Sequence, residues 1–503
     1  MLSLILHLCV ATRASGLARN AAADAAAVQR GTPGYEALLE RNWVGNVKFD
    51  SAETVVPASL EELESAVRGA RAPVRVVGRG HSFTPVAECK GGTLLSLARL
   101  NRVLDFRAPT ADSLGSITIE GGVTYTEVIQ HLGERGALRN LPSCPQFTVA
   151  GAIATGTHGS GLYIQNLAAD VSMLEFMLPN GTTVGYDRST PELLEGVRVH
   201  LGCLGVVTKL TLDVVPYFEV SAYRYDDVPL ETAIESLPGV FQDCDSLSIW
   251  TSGFGTGPGA GLAWMTYRHF HPHWDQSHAV PQHEPPAFGT PLTAKMQRYI
   301  SRVEFNQRVV QFSRIGYLTD PADPKFFSPT TRGPWSTTLA LTIDDELEET
   351  SMKALDLQSE FFVPLEHARD AVRAVAEVAS EWSFSSPHSS VGTPVKGLVD
   401  AFEFRCVKGD GSWISPHPVD SLGVHTSFNA DPALLEEAKD AVAAIEAALR
   451  SFSVRAHWGK LSSAAAHQID AGKLERFRSL CDAHDPDGVF RNAHVRRVLW
   501  GKD

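Results

Sequence analysis

Two glycine-rich loops constrain this chain more than any other feature of it. Arg75-Val-Val77 reads as a strand that runs straight into Gly78-Arg79-Gly80-His81-Ser82. A turn of that composition bares several backbone N–H groups, which can cradle a phosphate without help from a lysine. The second stretch, Val149-Ala-Gly-Ala-Ile-Ala-Thr-Gly-Thr-His-Gly-Ser-Gly161, carries mostly small side chains and several hydroxyls. Small residues let backbone lie close against a flat ring and a pyrophosphate. Either loop alone reads equally well as a structural glycine turn; the pair, in this order, is far more restrictive. Gly78-Arg-Gly80 lacks the third glycine of the dinucleotide G-x-G-x-x-G pattern, and the sequence holds no Walker A motif, no H-E-x-x-H and no G-x-S-x-G elbow.

The rest of the chain sets bounds. At 503 residues it exceeds what one core usually supports, so two or more domains are expected. A hydrophobic fraction of 44% with 20% charged residues excludes large-scale disorder. The net charge of −14 argues against nucleic acid as a partner, since backbone recognition needs clustered Lys and Arg. Seven cysteines without a C-x-x-C exclude a zinc ribbon and a dense disulfide scaffold. His269, His271, His273 and His278 fall in a stretch, residues 268–335, that reads as an elaborated loop; without a second ligand group they define no metal site, and no metal is expected. Leu2–Ala11 is apolar but too short to span a bilayer. Residues 1–39 therefore read as an extension suited equally to secretory or organellar targeting, and no other segment suggests a membrane span.

Local patterns place helices from Ser59 (in a capping box with Glu62) to about Ala70, over Thr124–Gly133, over Leu365–Ser380 with Val372, Val375 and Val378 on one face, and over Leu434–Leu449. Strands are expected at Thr93–Leu97, Ser116–Glu120, Gly205–Val215, Phe402–Val407 and Gly423–Phe428. The mixture has no steady βαβ rhythm, which favours an α+β fold.

Taken in order, the Gly78–Ser82 turn, Pro142-Ser-Cys-Pro-Gln-Phe-Thr-Val-Ala-Gly-Ala-Ile-Ala-Thr-Gly-Thr-His-Gly-Ser-Gly161 and Leu201-Gly-Cys-Leu-Gly-Val-Val-Thr208 resemble the FAD domain of the vanillyl-alcohol-oxidase-type flavoproteins. Within them the chain is similar to the sugar-alcohol and aldonolactone oxidase branch; Asn42-Trp-Val-Gly-Asn46, Arg455-Ala-His-Trp-Gly-Lys460 and Phe490-Arg-Asn492 fit as well. The resemblance implies a two-domain fold: an FAD-binding domain at 40–217, an antiparallel-sheet cap at 218–451, and a segment at 452–503 that returns to the FAD domain. It implies FAD bonded covalently through His81, a link that would retain the cofactor and raise its reduction potential. It also implies cofactor contacts from Gly78, Arg79, Gly80, Ser82, Gly151, Thr155, Gly156, Thr157, His158, Gly159, Ser160, Gly205, Val207 and His457.

On the substrate side, Gln358-Ser-Glu360 before a helix, Glu403-Phe-Arg405, Ser412-Trp-Ile-Ser-Pro416, His425-Thr-Ser427 and His457-Trp-Gly-Lys460 look like the alditol oxidases. Strand alternation puts Glu403 with Arg405, and His425 with Ser427, on shared faces. Hydride transfer from a primary alcohol needs a cation beside the hydroxyl and a proton acceptor, the expected roles of Arg405 and Lys460. Ser143, Glu403, His425 and Ser427 would bind the remaining hydroxyls of the polyol, with oxygen as the second substrate. Pro142 departs from the small residue that related oxidases carry near the flavin, a change bearing on oxygen access. An aldonolactone oxidase or dehydrogenase is the alternative enzyme, and a flavin-binding protein without turnover the alternative class.

Overall fold

The computed structural model describes residues 39–254, 261–274, 331–339, 356–383, 397–463 and 469–502; the expectations for residues 1–38 and for His278 lie outside them. Three sheets organise the fold. β1 (Glu53–Val55), β2 (Val74–Val77) and β3 (Thr93–Ser96) form a small parallel sheet in the order β1-β3-β2. β4 (Val103–Arg107), β5 (Gly115–Glu120), β6 (Val171–Met177), β7 (Thr183–Asp187) and β8 (Val206–Val214) form an antiparallel sheet in the order β4-β5-β8-β6-β7. The third has eight strands in the order β12-β9-β11-β10-β14-β15-β13-β16: β9 (Glu219–Pro229), β10 (Ser246–Thr251), β11 (Leu262–His271), β12 (Thr331–Pro334), β13 (Asp356–Pro364), β14 (Val399–Val407), β15 (Ser421–Asn429) and β16 (Arg455–Ala456). The α+β expectation is met.

The helices follow their local signals. In α1 (Leu60–Gly69) the Ser59 hydroxyl accepts from Glu62 N–H, while Glu62 reaches back to Ala58 N–H, one residue short of a closed capping box. The box closes in α2 (Tyr125–Leu132), where Thr124 and Glu127 satisfy each other's backbone donors. α3 (Val149–Ala154) is a short helix inside the second glycine stretch. α4 (Ala368–Ala379) buries Val372 and Val375, but Val378 is exposed; Ala371 and Ala379 complete the buried stripe instead. His269 and His271 belong to strand β11 rather than to a loop, and the ring Nε2 of His273 lies 3.2 Å from Asp245.

The eight-stranded sheet has two unlike faces. Leu357, Phe361 and Val363 of β13, Phe402 and Phe404 of β14, and Leu422, Val424 and Phe428 of β15 pack against α4 and α5 (Leu435–Leu449) in one apolar core. Each large side chain fully buried there contributes roughly 1.5–3 kcal/mol. The alternate residues, Glu360, Glu403, Arg405, His425 and Ser427, form the opposite face, and they are buried as well. Buried polar groups are costly unless paired, so the second face is where function must be sought.

Candidate active site

Register places the polar residues in rows across the sheet. Glu360 lies opposite His425, His425 opposite Glu403, Glu403 opposite Trp250, and Trp250 opposite Trp264. The next row aligns Phe362, Gly423, Arg405 and Ser248. Gly423 leaves room here: a Cβ would come within 3.1 Å of Glu360 Oε1, crowding the oxygen to which Arg405 donates at 3.0 Å. Trp250 and Trp264 stack nearly parallel, with centroids 5.8 Å apart, and Trp250 meets His425 edge-on.

Glu360 is the hub. Arg405 donates to Oε1, His158 Nε2 lies 3.0 Å from the same oxygen, and Lys460 Nζ forms an ion pair with Oε2 at 2.8 Å. Burial pushes the Glu360 carboxyl up, yet Lys460, His158 and Arg405 together hold it well below the usual carboxylate range. Arg405 also pairs with Glu403, Nε to Oε2 at 3.2 Å. Burial raises the Glu403 carboxyl against the pull of Arg405. Lys460 Nζ lies 2.9 Å from His425 Nδ1, and His425 Nε2 lies 3.2 Å from Ser427 Oγ. The ammonium donates to Nδ1, so His425 is a neutral ring that donates from Nε2 to the serine. Burial, with Lys460 second, pushes His425 down to about 3, consistent with that form. Burial also lowers Lys460, opposed by Glu360.

The glycine loops adjoin this face, His158 of the second one reaching Glu360. Trp43 N–H bonds to Gly80 O, and Asn42 Nδ2 to Ser82 O. Because a trans peptide sets its C=O and N–H antiparallel, His81 N–H points away from the Asn42–Asn46 segment. The His81 ring sits between Trp43 and Phe147, with centroids at 4.7 and 4.6 Å. Burial, aided by Arg79, pushes its imidazole down to about 3. The two loops meet at Thr148, whose Oγ1 would lie 2.3 Å from a Cβ on Gly78 and 2.7 Å from one on Gly151. Gly80 and Gly156 both adopt positive φ, +69° and +70°, which only glycine enters freely. Backbone brought this close, with a neutral ring beside it, suits a flavin and its pyrophosphate.

The structure brings Glu403, Arg405, His425, Ser427 and Lys460 together on one face, and His457, expected at the cofactor, bonds through its N–H to Glu360 O at 2.9 Å. Ser143 lies half-buried in the bend before α3. Two residues expected at the cofactor have their side-chain polar atoms bonded to protein groups. His158 Nδ1 bonds to Gly159 O at 2.7 Å and its Nε2 faces Glu360, while Ser160 Oγ donates to Leu247 O of β10 at 2.6 Å. Thr155 Oγ1 bonds to Ala152 O and stands 3.5 Å from Thr157 Oγ1. Gly205 immediately precedes β8, where a Cβ would meet Met177 O at 2.6 Å, and Val207 is buried on that strand. Glu360, read in the sequence only as part of a motif and given no role, and Gly423 were missed as site residues. Among the described residues no group of three His, Cys, Asp or Glu side chains is placed to hold a metal, and no helix is long and apolar enough to cross a membrane.

Residues 52–186 match the family described as FAD binding domain, and residues 350–498 the family of D-arabinono-1,4-lactone oxidase. The chain is 30% identical over 470 residues to the alditol oxidase of Streptomyces sp. (strain IKD472 / FERM P-14339), covering 92% of this chain and 99% of that protein. It is 26% identical to the L-gulono-1,4-lactone dehydrogenase of Mycobacterium tuberculosis (strain ATCC 25618 / H37Rv), covering 91% and 98%, and 32% identical to the L-gulonolactone oxidase of Mus musculus, covering 42% and 47%. Fold, site and matches together define an FAD-dependent oxidoreductase acting on CH–OH groups. The chain belongs to the vanillyl-alcohol-oxidase-type flavoproteins, in their sugar-alcohol and aldonolactone oxidase branch.

Proposed function

We propose that the protein oxidises the terminal CH2OH of an alditol such as xylitol or sorbitol to the aldose, with oxygen reduced to hydrogen peroxide. The observation that carries this reading is the fully buried polar sheet face. It offers two cations gathered on one carboxylate and several neutral hydrogen-bonding groups, as a substrate with many hydroxyls and no charge requires. The chemistry that FAD supplies when bound is acceptance of a hydride from the carbinol carbon. Gly78–Ser82, Gly151, Thr155, Gly156, Thr157, Gly159, Gly205 and Val207 would hold it, with His81 as the covalent anchor; a neutral imidazole offers the lone pair such a bond needs. Arg405 holds the reacting hydroxyl and stabilises developing alkoxide, a contribution of about 3–4 kcal/mol for a preorganised contact. Lys460 takes the hydroxyl proton at Nζ. Glu403, Ser427, His425 and Ser143 orient the other hydroxyls.

A second reading, oxidation of an aldonolactone, rests on the match of residues 350–498 to the D-arabinono-1,4-lactone oxidase family, a span that holds Glu360, Glu403, Arg405, His425 and Lys460. The test is a panel of xylitol, sorbitol, glycerol and galactonolactone, monitoring flavin bleaching, peroxide and a dye acceptor. Bleaching by polyols with peroxide release supports the alditol reading. Bleaching by the lactone alone overturns it in favour of the second, and no bleaching by any of them overturns both.

A further inference from the structure

The donor count around His158 does not close with ordinary protonation states. Its Nδ1 faces the Gly159 carbonyl at 2.7 Å, so Nδ1 carries a hydrogen. Its Nε2 faces Glu360 Oε1 at 3.0 Å. A neutral ring beside an ionised carboxylate would set two acceptors against each other, in a place where both side chains are 1% exposed. Two tendencies nonetheless pull toward that state. Burial, reinforced by Arg405 and His417, pushes His158 down to about 4, and the donors around Glu360 favour its ionised form.

We infer that His158 and Glu360 share one proton between Nε2 and Oε1, and that its position governs whether Lys460 is held as an ammonium. This rests on the proposed role of Lys460. With the proton on Nε2, Glu360 is a carboxylate and retains a charged Lys460 at 2.8 Å. With the proton on Oε1, Lys460 loses its counter-charge in a buried site, releases its own proton to solvent and becomes the neutral amine that accepts a hydroxyl proton. As that proton arrives at Nζ, the bridging proton returns from Oε1 to Nε2. The cluster gains one positive charge, which offsets the forming alkoxide. His158 is thus a positioning residue acting through Glu360. The other groups facing Glu360 are Arg405 and Glu403 from β14, His425 from β15, and His457 beside Lys460 in the segment after β16; Asp356 lies further along its own strand.

The test compares wild type with His158→Gln, whose amide cannot exchange the bridging proton, and Glu360→Gln. Lys460 must be deprotonated to accept, so polyol bleaching rises with pH. The pH of half-maximal bleaching rate is expected in the order Glu360→Gln, wild type, His158→Gln from low to high, with steps of about one unit. Both variants moving the same way, or slowing the reaction without moving the half-point, overturns the inference. A second readout needs no turnover: 15N-histidine NMR, with His158→Gln identifying the His158 signal. A proton-bearing Nδ1 with Nε2 between bare and protonated values, shifting to bare in Glu360→Gln, supports the shared proton; a bare Nδ1 overturns it. Should no polyol bleach the flavin, the NMR arm still decides this point, and the functional reading alone fails.

Discussion

The glycine loops and the polar sheet face reach function by opposite means. Around Gly78–Ser82 and Val149–Gly161 the working element is backbone, and side chains matter by being absent. A Cβ on Gly159 would sit 2.1 Å from Asn140 Oδ1, a contact no side-chain rotation of the new residue can relieve. On the sheet face the working element is the side chain, and Glu360, Arg405, Lys460 and His425 sustain one another through contacts of 2.8–3.0 Å. The glycine loops are therefore sensitive to bulk, and the polar sheet face to charge and hydrogen bonding.

That contrast can be broken by substitution. The largest effect is expected for Lys460→Ala: anaerobic bleaching by xylitol slowed by about 10²–10³-fold, with the yellow colour retained. A variant that reduces as fast as wild type would remove Lys460 from the chemistry. Gly159→Ala should do the reverse, lowering flavin content and thermal stability by about 1–3 kcal/mol, as read from visible absorbance and melting. Equal flavin loss from both would erase the distinction between the two regions. His81→Ala should leave the flavin extractable by acid; a flavin that stays attached would place the link elsewhere. The smallest effect is expected for Ser427→Ala, which removes the acceptor of His425 Nε2. About 1 kcal/mol corresponds to a several-fold rise in KM for the polyol at unchanged flavin content.

The two regions were also unequally legible in the sequence. The loops are contiguous, and their motifs announce themselves at fixed spacing. On the sheet, Glu403 with Arg405 and His425 with Ser427 were visible because each pair lies two residues apart on one strand. Glu360 escaped because its strand is a poor alternation: Ser359 sits on the apolar face and Phe362 on the polar one, so Leu-Gln-Ser-Glu-Phe-Phe shows no clear period. Gly423 could be understood only after β13, β14 and β15 were in register. Arg75 escaped for a similar reason. It is buried beside the first loop and donates to the carbonyls of Val86, Leu201, Gly202 and Phe490, groups as much as 415 residues away.

The segment from Asn42 to Asn46 has a practical bearing on how the protein is handled. Its side chains and backbone fasten Gly80, Ser82 and Phe83, and its tryptophan covers one face of the His81 ring. Any shortened version used to improve yield must keep these five residues. Trimming past them would uncover one face of the His81 ring and free the carbonyls of Gly80 and Ser82.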